Sequence, residues 1–122
     1  MAVVDSSAWI EYFTNAPRAK QFAEVIRKAQ QVITPTLVLF EVYKKLKKEL
    51  SENDALIAAA EMEQTFLAPL SPSTAYLAAD LSIEYRLGMA DAIIYATARS
   101  YDAHLITLDV DFKGLPGVSY FA

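Results

Sequence analysis

Five acidic residues lie where the surrounding sequence favours a shared carboxylate site. Each borders or interrupts an apolar segment, and the five are Asp5, Glu41, Asp91, Asp109 and Asp111. Three or four carboxylates can hold one or two divalent ions, which polarise a phosphoryl oxygen and lower the pKa of bound water. These residue types therefore predict metal-assisted hydrolysis of a phosphodiester.

The lack of cysteine and the single histidine limit the chemistry that this 122-residue chain can perform. Without cysteine there are no disulfides, zinc–thiolate sites or thiol nucleophiles. His104 alone cannot supply a pair of imidazole ligands, and it is the one base available to a serine nucleophile. Oxygen ligands without nitrogen or sulfur favour hard cations, so we expect Mg²⁺ or Mn²⁺, as one or two ions.

The net charge of −4 is unusual for a nucleic-acid-binding protein, which usually carries a basic surface. When the five candidate acids are set aside, the remaining residues carry a charge of +1. Bound divalent ions would add positive charge where a phosphate must approach. The net charge therefore neither excludes nor favours a nucleic-acid substrate.

Short apolar runs alternate with longer helical patterns along the chain, which is typical of a parallel α/β sheet. The pattern predicts strands at residues 2–4, 32–33, 67–70, 104–107 and 118–121. It predicts helices at 7–13, from Pro17, from Pro35 to about Leu50, from a cap at Ser51, from Ser71 to a stop at Gly88, and at 90–101. No linker or repeat interrupts the pattern, so we expect a single domain spanning 1–122.

The predicted elements place two of the acids at strand ends and one in an apolar segment. In open parallel sheets, ligands bind beyond the carboxyl ends of the strands, where we expect Asp5 and Asp109. Glu41 is the most informative acid, because its neighbours on both sides are apolar and a buried carboxylate is costly without a partner. A metal ion would be a sufficient partner.

Each acid also has an ordinary structural explanation. Asp5 could cap a helix, and Asp91 could complement a helix dipole. Asp109 and Asp111 could be turn residues, and Glu41 could point into solvent from a half-exposed helix. These explanations are independent of one another, whereas one metal site accounts for all five residues.

Four segments of the chain together resemble one known family. They are Val4-Asp5-Ser6-Ser7-Ala8-Trp9-Ile10, Thr34-Pro35 through Glu41-Val42, the run from Leu87 to Ala98 around Asp91, and the run from Leu105 to Phe112. In this order and spacing they are similar to the motifs of the PIN-domain ribonucleases, and among these to the VapC-type toxins of toxin–antitoxin pairs. The resemblance covers the whole chain.

The resemblance implies a set of site residues and a fold. By position, Asp5, Glu41 and Asp91 match the first three metal-binding acids of the family, and Asp109, assisted by Asp111, matches the fourth. Hydroxyl groups that support the acids or the metal-bound water are implied at Thr107 and Ser6. The implied fold is a three-layer α/β/α arrangement around a parallel sheet of four to five strands in the order 3-2-1-4-5.

The resemblance also implies an activity and partners. The implied activity is Mg²⁺- or Mn²⁺-dependent cleavage of single-stranded or looped RNA. The implied partners are a second copy of the chain, in a homodimer, and an antitoxin protein. The C-terminal segment of such an antitoxin lies across the active-site groove and often inserts a basic side chain into it.

Several residues outside the acidic set are candidates for contacting RNA. Lys44, Lys45, Lys47 and Lys48 form a basic cluster just after Glu41, which fits either an RNA-backbone contact or a solvated helix end. Arg86 and Arg99 are further candidates for phosphate contacts, but a structural ion pair is the role that we expect for both. For His104 and for the aromatic residues from Trp9 to Phe13, we expect structural roles.

Other classes of protein fit the sequence less well. A receiver-type phosphorylation switch needs an acidic pair after the first strand and an acid after the third, and both are missing. A binding module with a degenerate site would not need all five acids. A DNA-directed nuclease of related architecture usually carries extra helical segments, and a PIN-like nuclease outside a toxin–antitoxin pair stays an alternative.

No apolar run spans a bilayer and no basic leader precedes the first strand, so a cytoplasmic protein is expected.

Overall fold

A computed structural model describes residues 1–122. Five parallel strands form one sheet in the order β3-β2-β1-β4-β5, which confirms the predicted topology. The strands are β1 (Ala2–Val4), β2 (Val32–Pro35), β3 (Phe66–Ala68), β4 (His104–Thr107) and β5 (Val118–Tyr120). The proline-adjacent strand β3 lies at an edge, as predicted.

Six α-helices flank the sheet. They are α1 (Ser6–Phe13), α2 (Ala19–Ile26), α3 (Thr36–Glu49), α4 (Glu52–Met62), α5 (Pro72–Tyr85) and α6 (Met89–Ser100). Parallel crossovers are right-handed, so α1 to α4 cover one face of the sheet, while α5 and α6 cover the other. The result is the predicted three-layer α/β/α arrangement. No helix combines the length and the apolar character that a membrane span requires.

The core lies on both faces of the sheet. The central strands contribute the fully buried side chains Val3, Ile33 and Leu105, because strands covered on both sides are apolar at successive positions. Helix α6 contacts the three strands β1, β2 and β4 as well as α5. This central position explains why Ile94 and Ala96 are buried, and it confirms the prediction of a buried helix.

The turn between α5 and α6 differs from the prediction. Helix α5 ends at Tyr85, and Arg86 rather than Gly88 adopts the left-handed conformation that ends it, with φ 57°. The Leu87 N–H donates to the Ser82 carbonyl at 3.2 Å and the Ser82 hydroxyl donates to the Leu87 carbonyl at 2.6 Å, which closes the helix early. Gly88 is instead the extended N-cap residue of α6.

The remaining differences are shifts of one or two residues at element ends. Strand β2 continues through Pro35, which was expected to break it, because Pro35 is the last residue of the strand and pairs in register with Ala68. Strand β3 begins at Phe66 and ends before Pro69, which has no N–H to donate to a ladder. Helix α1 begins at Ser6, one residue earlier than predicted.

The burial of Ile94 in α6 predicts that a cavity at this position lowers the free energy of unfolding. Replacing Ile94 by Ala should lower the free energy of unfolding by roughly 2–5 kcal/mol, because the surrounding core cannot collapse into the space. Replacing Ile57, which is 60% exposed on α4, by Ala is the matched control and should change it by less than about 0.5 kcal/mol. Urea denaturation of both variants measures the difference, and equal losses would contradict this description of the core.

Candidate active site

Asp5 lies at the point where the strand order of the sheet reverses. From β1 the chain proceeds through β2 to β3 on one side, and it returns to β4 on the other side. Asp5 follows β1 directly, and its N–H donates to the Ile106 carbonyl of β4 at 2.9 Å. A ligand-binding crevice is expected beyond the strand ends at such a reversal.

The Asp5 carboxylate does not cap helix α1. Asp5 occupies the N-cap position with extended backbone, but its side chain makes no capping hydrogen bond. Its Oδ2 atom instead accepts hydrogen bonds from the Thr107 hydroxyl at 2.7 Å and the Ser7 hydroxyl at 3.0 Å. The side chain is almost entirely buried, with 2% exposure, and burial raises its pKa despite these hydroxyl donors.

Two hydroxyl groups join the start of α1 to the loop after β4. The Ser7 and Thr107 hydroxyl oxygens lie 3.3 Å apart. Ser7 Oγ accepts from the Leu108 N–H at 3.0 Å, and Thr107 Oγ1 accepts from the Asp109 N–H at 2.9 Å. The network therefore holds Asp5 and Asp109 close together although they are distant in sequence.

The hydroxyl that donates to Asp5 belongs to Ser7 and not to Ser6, which was the predicted supporting residue. Ser7, which the sequence interpretation did not single out, donates to Asp5, while the Ser6 side chain lies near Glu41 and partly offsets the rise in the pKa of that carboxyl. A spacing of two residues between an acid and a serine at a helix start is within the range of local side-chain hydrogen bonding. That spacing is the signal that would have pointed to Ser7.

Glu41 projects from α3 towards the same cluster rather than into solvent. Its Oε1 atom is buried and has no hydrogen-bond partner. Burial, followed by repulsion from Asp5, raises the pKa of Glu41. A buried oxygen without a partner is costly, and a cation would remove that cost.

Asp91, Asp109 and Asp111 form the centre of the acidic cluster. One carboxylate oxygen from each lies within 4.8 Å of the others. Burial, and then repulsion from Asp109, Asp5, Asp111 and Glu41, raises the pKa of Asp91 to about 7. Both Asp109 and Asp111 are therefore placed beside Asp91. They differ in that Asp109 is half-buried and accepts the Asp111 N–H at 3.0 Å, whereas Asp111 is exposed.

No basic side chain neutralises this cluster. The three ion pairs of the protein are Arg27–Glu24, Lys45–Glu49 and Lys47–Glu52, and none includes a candidate site acid. Five carboxylates without a countercharge repel one another, and hard divalent cations prefer oxygen ligands of this kind. The residues present therefore fit a divalent metal ion.

The lysine candidates for RNA contact differ in their partners. Lys45 pairs with Glu49 at 3.4 Å, and the Lys44 ammonium lies 5.5 Å from the centroid of the Phe40 ring. Lys48 is exposed and forms no ion pair. Lys44 and Lys48 are therefore free of carboxylate partners.

The two arginine candidates are also free of carboxylates, so the expectation of a structural ion pair was wrong for both. The exposed Arg86 ends α5. Arg99 donates to the Tyr95 hydroxyl at 3.2 Å and lies 5.6 Å over the Tyr95 ring. The expectation of an ion pair for Arg99 was wrong, because an aromatic ring takes the place of the acid.

The remaining singled-out residues have structural contacts. The exposed His104 starts β4, at the opposite end of that strand from Thr107, and its Nδ1 lies 3.4 Å from the Gly117 carbonyl. Trp9 is fully buried and stacks on Phe13 at 5.5 Å. Both observations agree with the structural roles that we expected.

The raised pKa of Asp91 predicts how the metal-free protein responds to pH. Because the folded state favours the neutral carboxyl, its stabilising contribution is full below pH 3.8 and is lost as the pH rises to about 7. At pH 8 in a chelator, Asp91→Asn should therefore raise the melting temperature by roughly 2–8 °C, the shift that about 1 kcal/mol produces in a domain of this size.

Asp80→Asn is the control for this thermal experiment, because Asp80 is an exposed acid of α5 without an ion pair. It should leave the melting temperature unchanged. A lower melting temperature in Asp91→Asn at pH 8 would show that the carboxylate stabilises the metal-free fold, contrary to the electrostatic argument.

Comparison with known proteins places this geometry in a family. A sequence profile of the PIN domain matches residues 2–118. A toxin–antitoxin complex from Klebsiella pneumoniae contains a chain that is 31% identical, with a TM-score of 0.83 and coverage of 98% of this chain and 96% of that chain. No curated protein sequence matches.

Two more distant structures share the fold. VapC20 of Mycobacterium tuberculosis, a toxin that cleaves the sarcin–ricin loop, is 20% identical, with a TM-score of 0.77 and coverage of 97% of both chains. A chain of VapBC2 from Rickettsia felis, bound to a DNA fragment from its promoter, is 15% identical, with a TM-score of 0.78 and coverage of 99% and 98%. With the profile match over nearly the whole chain, these findings show that the protein belongs to the PIN domain family.

Proposed function

We propose that this protein is a Mg²⁺- or Mn²⁺-dependent endoribonuclease and the toxin of a toxin–antitoxin pair. The observation that carries the proposal is the cluster of Asp91, Asp109 and Asp111, which meets Asp5 and Glu41 at the sheet's topological switch point without any basic neighbour. Carboxylates held together against their own repulsion are typical of a site that binds cations.

Within this proposal, the acids have different tasks. Asp5, Glu41, Asp91 and Asp109 are the metal ligands, and Asp111 assists Asp109 at the exposed side of the cluster. When one or two divalent ions are bound, they supply Lewis-acid polarisation of the phosphoryl oxygen and lower the pKa of a water nucleophile. The unpartnered Oε1 of Glu41 supports its assignment as a ligand.

The supporting hydroxyls orient the acids. Thr107 and Ser7 donate to the same oxygen of Asp5, which restricts rotation of that carboxylate. Ser6 is the proposed supporting hydroxyl for Glu41, because it lies near that carboxyl and lowers its pKa against the effect of burial. Ligands that are held by such outer hydrogen bonds lose less freedom when an ion binds.

The proposal of RNA as the substrate rests on the relatives and on the surface charge. VapC20, which shares this fold, cleaves the sarcin–ricin loop. Lys44, Lys45, Lys48 and Arg86 are the proposed contacts to the RNA backbone, and three of these four have no carboxylate partner. Cations along the groove would offset the repulsion between the acidic cluster and a polyanion.

The proposed protein partners follow from the same comparisons. The 31% identical chain comes from a toxin–antitoxin complex, and VapBC2 is a further complex with this fold. A basic side chain of an antitoxin would find five unneutralised carboxylates in the groove.

We also propose a homodimer, since Tyr76, Ile83 and Met89 expose large apolar side chains on α5 and α6. The proposed active form is one domain, 1–122, acting on RNA in the cytoplasm.

An RNase assay tests the activity. Wild type should cleave unstructured RNA with Mg²⁺ or Mn²⁺ and not with a chelator, while Asp5→Asn and Asp91→Asn should each lose roughly 100-fold or more, as loss of several kcal/mol of charge stabilisation requires. Asp80→Asn serves as the control and should retain activity. Metal-independent cleavage, or cleavage of DNA alone, would contradict the proposal.

A second experiment tests the role of the hydroxyls. Thr107→Val keeps the shape of the side chain but removes the donor to Asp5, so the Mg²⁺ or Mn²⁺ concentration giving half-maximal activity should rise roughly 10- to 100-fold. Thr14→Val, at an exposed position distant from the acids, should leave that concentration unchanged. An unchanged requirement in Thr107→Val would show that the hydrogen bond does not orient a ligand.

A further inference from the structure

Helix α3 exposes a phenylalanine beside one of the proposed metal ligands. The buried face of the helix consists of Val38, Val42 and Leu46. Phe40 lies outside this face and is 58% exposed, although it directly precedes Glu41. The Phe40 ring is not among the side chains that pack against the core, so its apolar surface is available to a ligand.

The Phe40 ring borders an apolar recess between α3 and α4. Thr36, Leu39 and Tyr43 of α3 and Ala59 of α4 line this recess with Phe40, and its volume is about 310 Å³. Thr36 also lines a second recess, which extends to Ile93 of α6. We call the recess that Phe40 lines the apolar floor of α3.

Lysines lie over the aromatic rings at the edge of this floor. The Lys44 ammonium is 5.5 Å from the centroid of Phe40, and the Lys47 ammonium is 5.6 Å from the centroid of Tyr43. Lys47 also pairs with Glu52 at 3.2 Å, whereas Lys44 has no carboxylate partner. The free cation is therefore the one over Phe40.

The charge of this surface favours a single-stranded nucleic acid. Four lysines fall within five residues of α3, and an apolar floor bordered by cations matches a polyanion that has flat apolar bases. Aromatic side chains stack on any nucleobase, while lysines contact the adjoining phosphates. An apolar protein segment would leave the unpaired Lys44 without an anionic partner.

We propose that Phe40 and Lys44 form a binding site for one unpaired base and its phosphate, next to the position of the cleaved bond. This proposal rests on the proposed ribonuclease function and assigns to Phe40 a role in selecting substrates. Because α3 rises about 1.5 Å per residue, the site lies within one helical turn of Glu41. Such a site favours loops and single strands over duplexes, whose bases are already stacked.

RNA binding without cleavage tests the site directly. The measurement is fluorescence anisotropy of a labelled unstructured RNA, in a chelator at low salt. The Kd of Phe40→Leu should be roughly 5- to 150-fold higher than that of wild type, the range that loss of one base stack produces. Phe40→Trp should retain affinity. Phe66→Leu makes the same substitution at an exposed phenylalanine of edge strand β3 and should have no effect.

Removing one base at a time from the same RNA distinguishes base stacking from nonspecific binding. Wild type should lose affinity when one particular base is removed. Phe40→Leu, which already lacks the stacking ring, should bind the intact RNA and that abasic RNA with equal affinity. Equal Kd values for wild type and Phe40→Leu would overturn the proposal. A change of oligomeric state in Phe40→Leu, measured by sedimentation with RNA affinity unchanged, would overturn it by showing that the surface binds protein.

The cleavage assay distinguishes failure of this inference from failure of the proposed function. If wild type cleaves RNA with metal and Phe40→Leu binds and cleaves like wild type, only the stacking site is wrong. If wild type cleaves no RNA under any metal condition, the ribonuclease proposal is wrong, and the anisotropy result still decides whether Phe40 binds a base.

Discussion

The hydrogen bonds from Thr107 and Ser7 to the Asp5 carboxylate are the contacts on which the acidic cluster depends. They join the end of β4 and the start of α1 to the end of β1, and they do so through one oxygen atom. Thr107 also accepts the Asp109 N–H, so the loop that carries two further acids is held by the same hydroxyl. Without these donors, repulsion would favour separating the strand ends that bring the acids together.

The cluster is held at a cost that the rest of the fold must offset. Burial and mutual repulsion raise the pKa of Asp5, Glu41 and Asp91, and a raised pKa means that the charged form opposes folding. The favourable contribution comes from the sheet and from α6, which has six of its twelve residues buried and carries Asp91 in its first turn. A site that destabilises its own fold without a ligand is common where function requires the arrangement.

Much of the fold could be predicted because local patterns and parallel topology agree. Buried strands, helix starts such as Ser71 with Pro72, and the apolar run of α6 are properties of neighbouring residues. The differences arise where a distant or competing contact decides. Ser82 closes α5 before Gly88, and the Tyr95 ring attracts Arg99 in place of an acid.

The candidate site shows the same division. The positions of the acids followed from strand ends and apolar context, whereas the choice of Ser7 rather than Ser6 as the donor to Asp5 depends on a threonine 100 residues further along the chain. The closeness of Asp111 to Asp91 likewise depends on how the short helix at Val110–Phe112 turns after Asp109. Local spacing makes Ser7 a candidate, but only these tertiary contacts decide between it and Ser6.

Helix α3 carries both an acid of the candidate site and a group of lysines on its outer surface. Near its start Glu41 adds to the acidic cluster, and within the next two turns the lysines add positive charge to the outer surface. The net charge of −4 hides this separation, because it averages a deeply acidic pocket with a surface that is nearly neutral or basic. In the proposed function, a polyanion would be attracted along α3 and would meet the acids where divalent ions bridge the two, so substrate binding and metal binding would support each other.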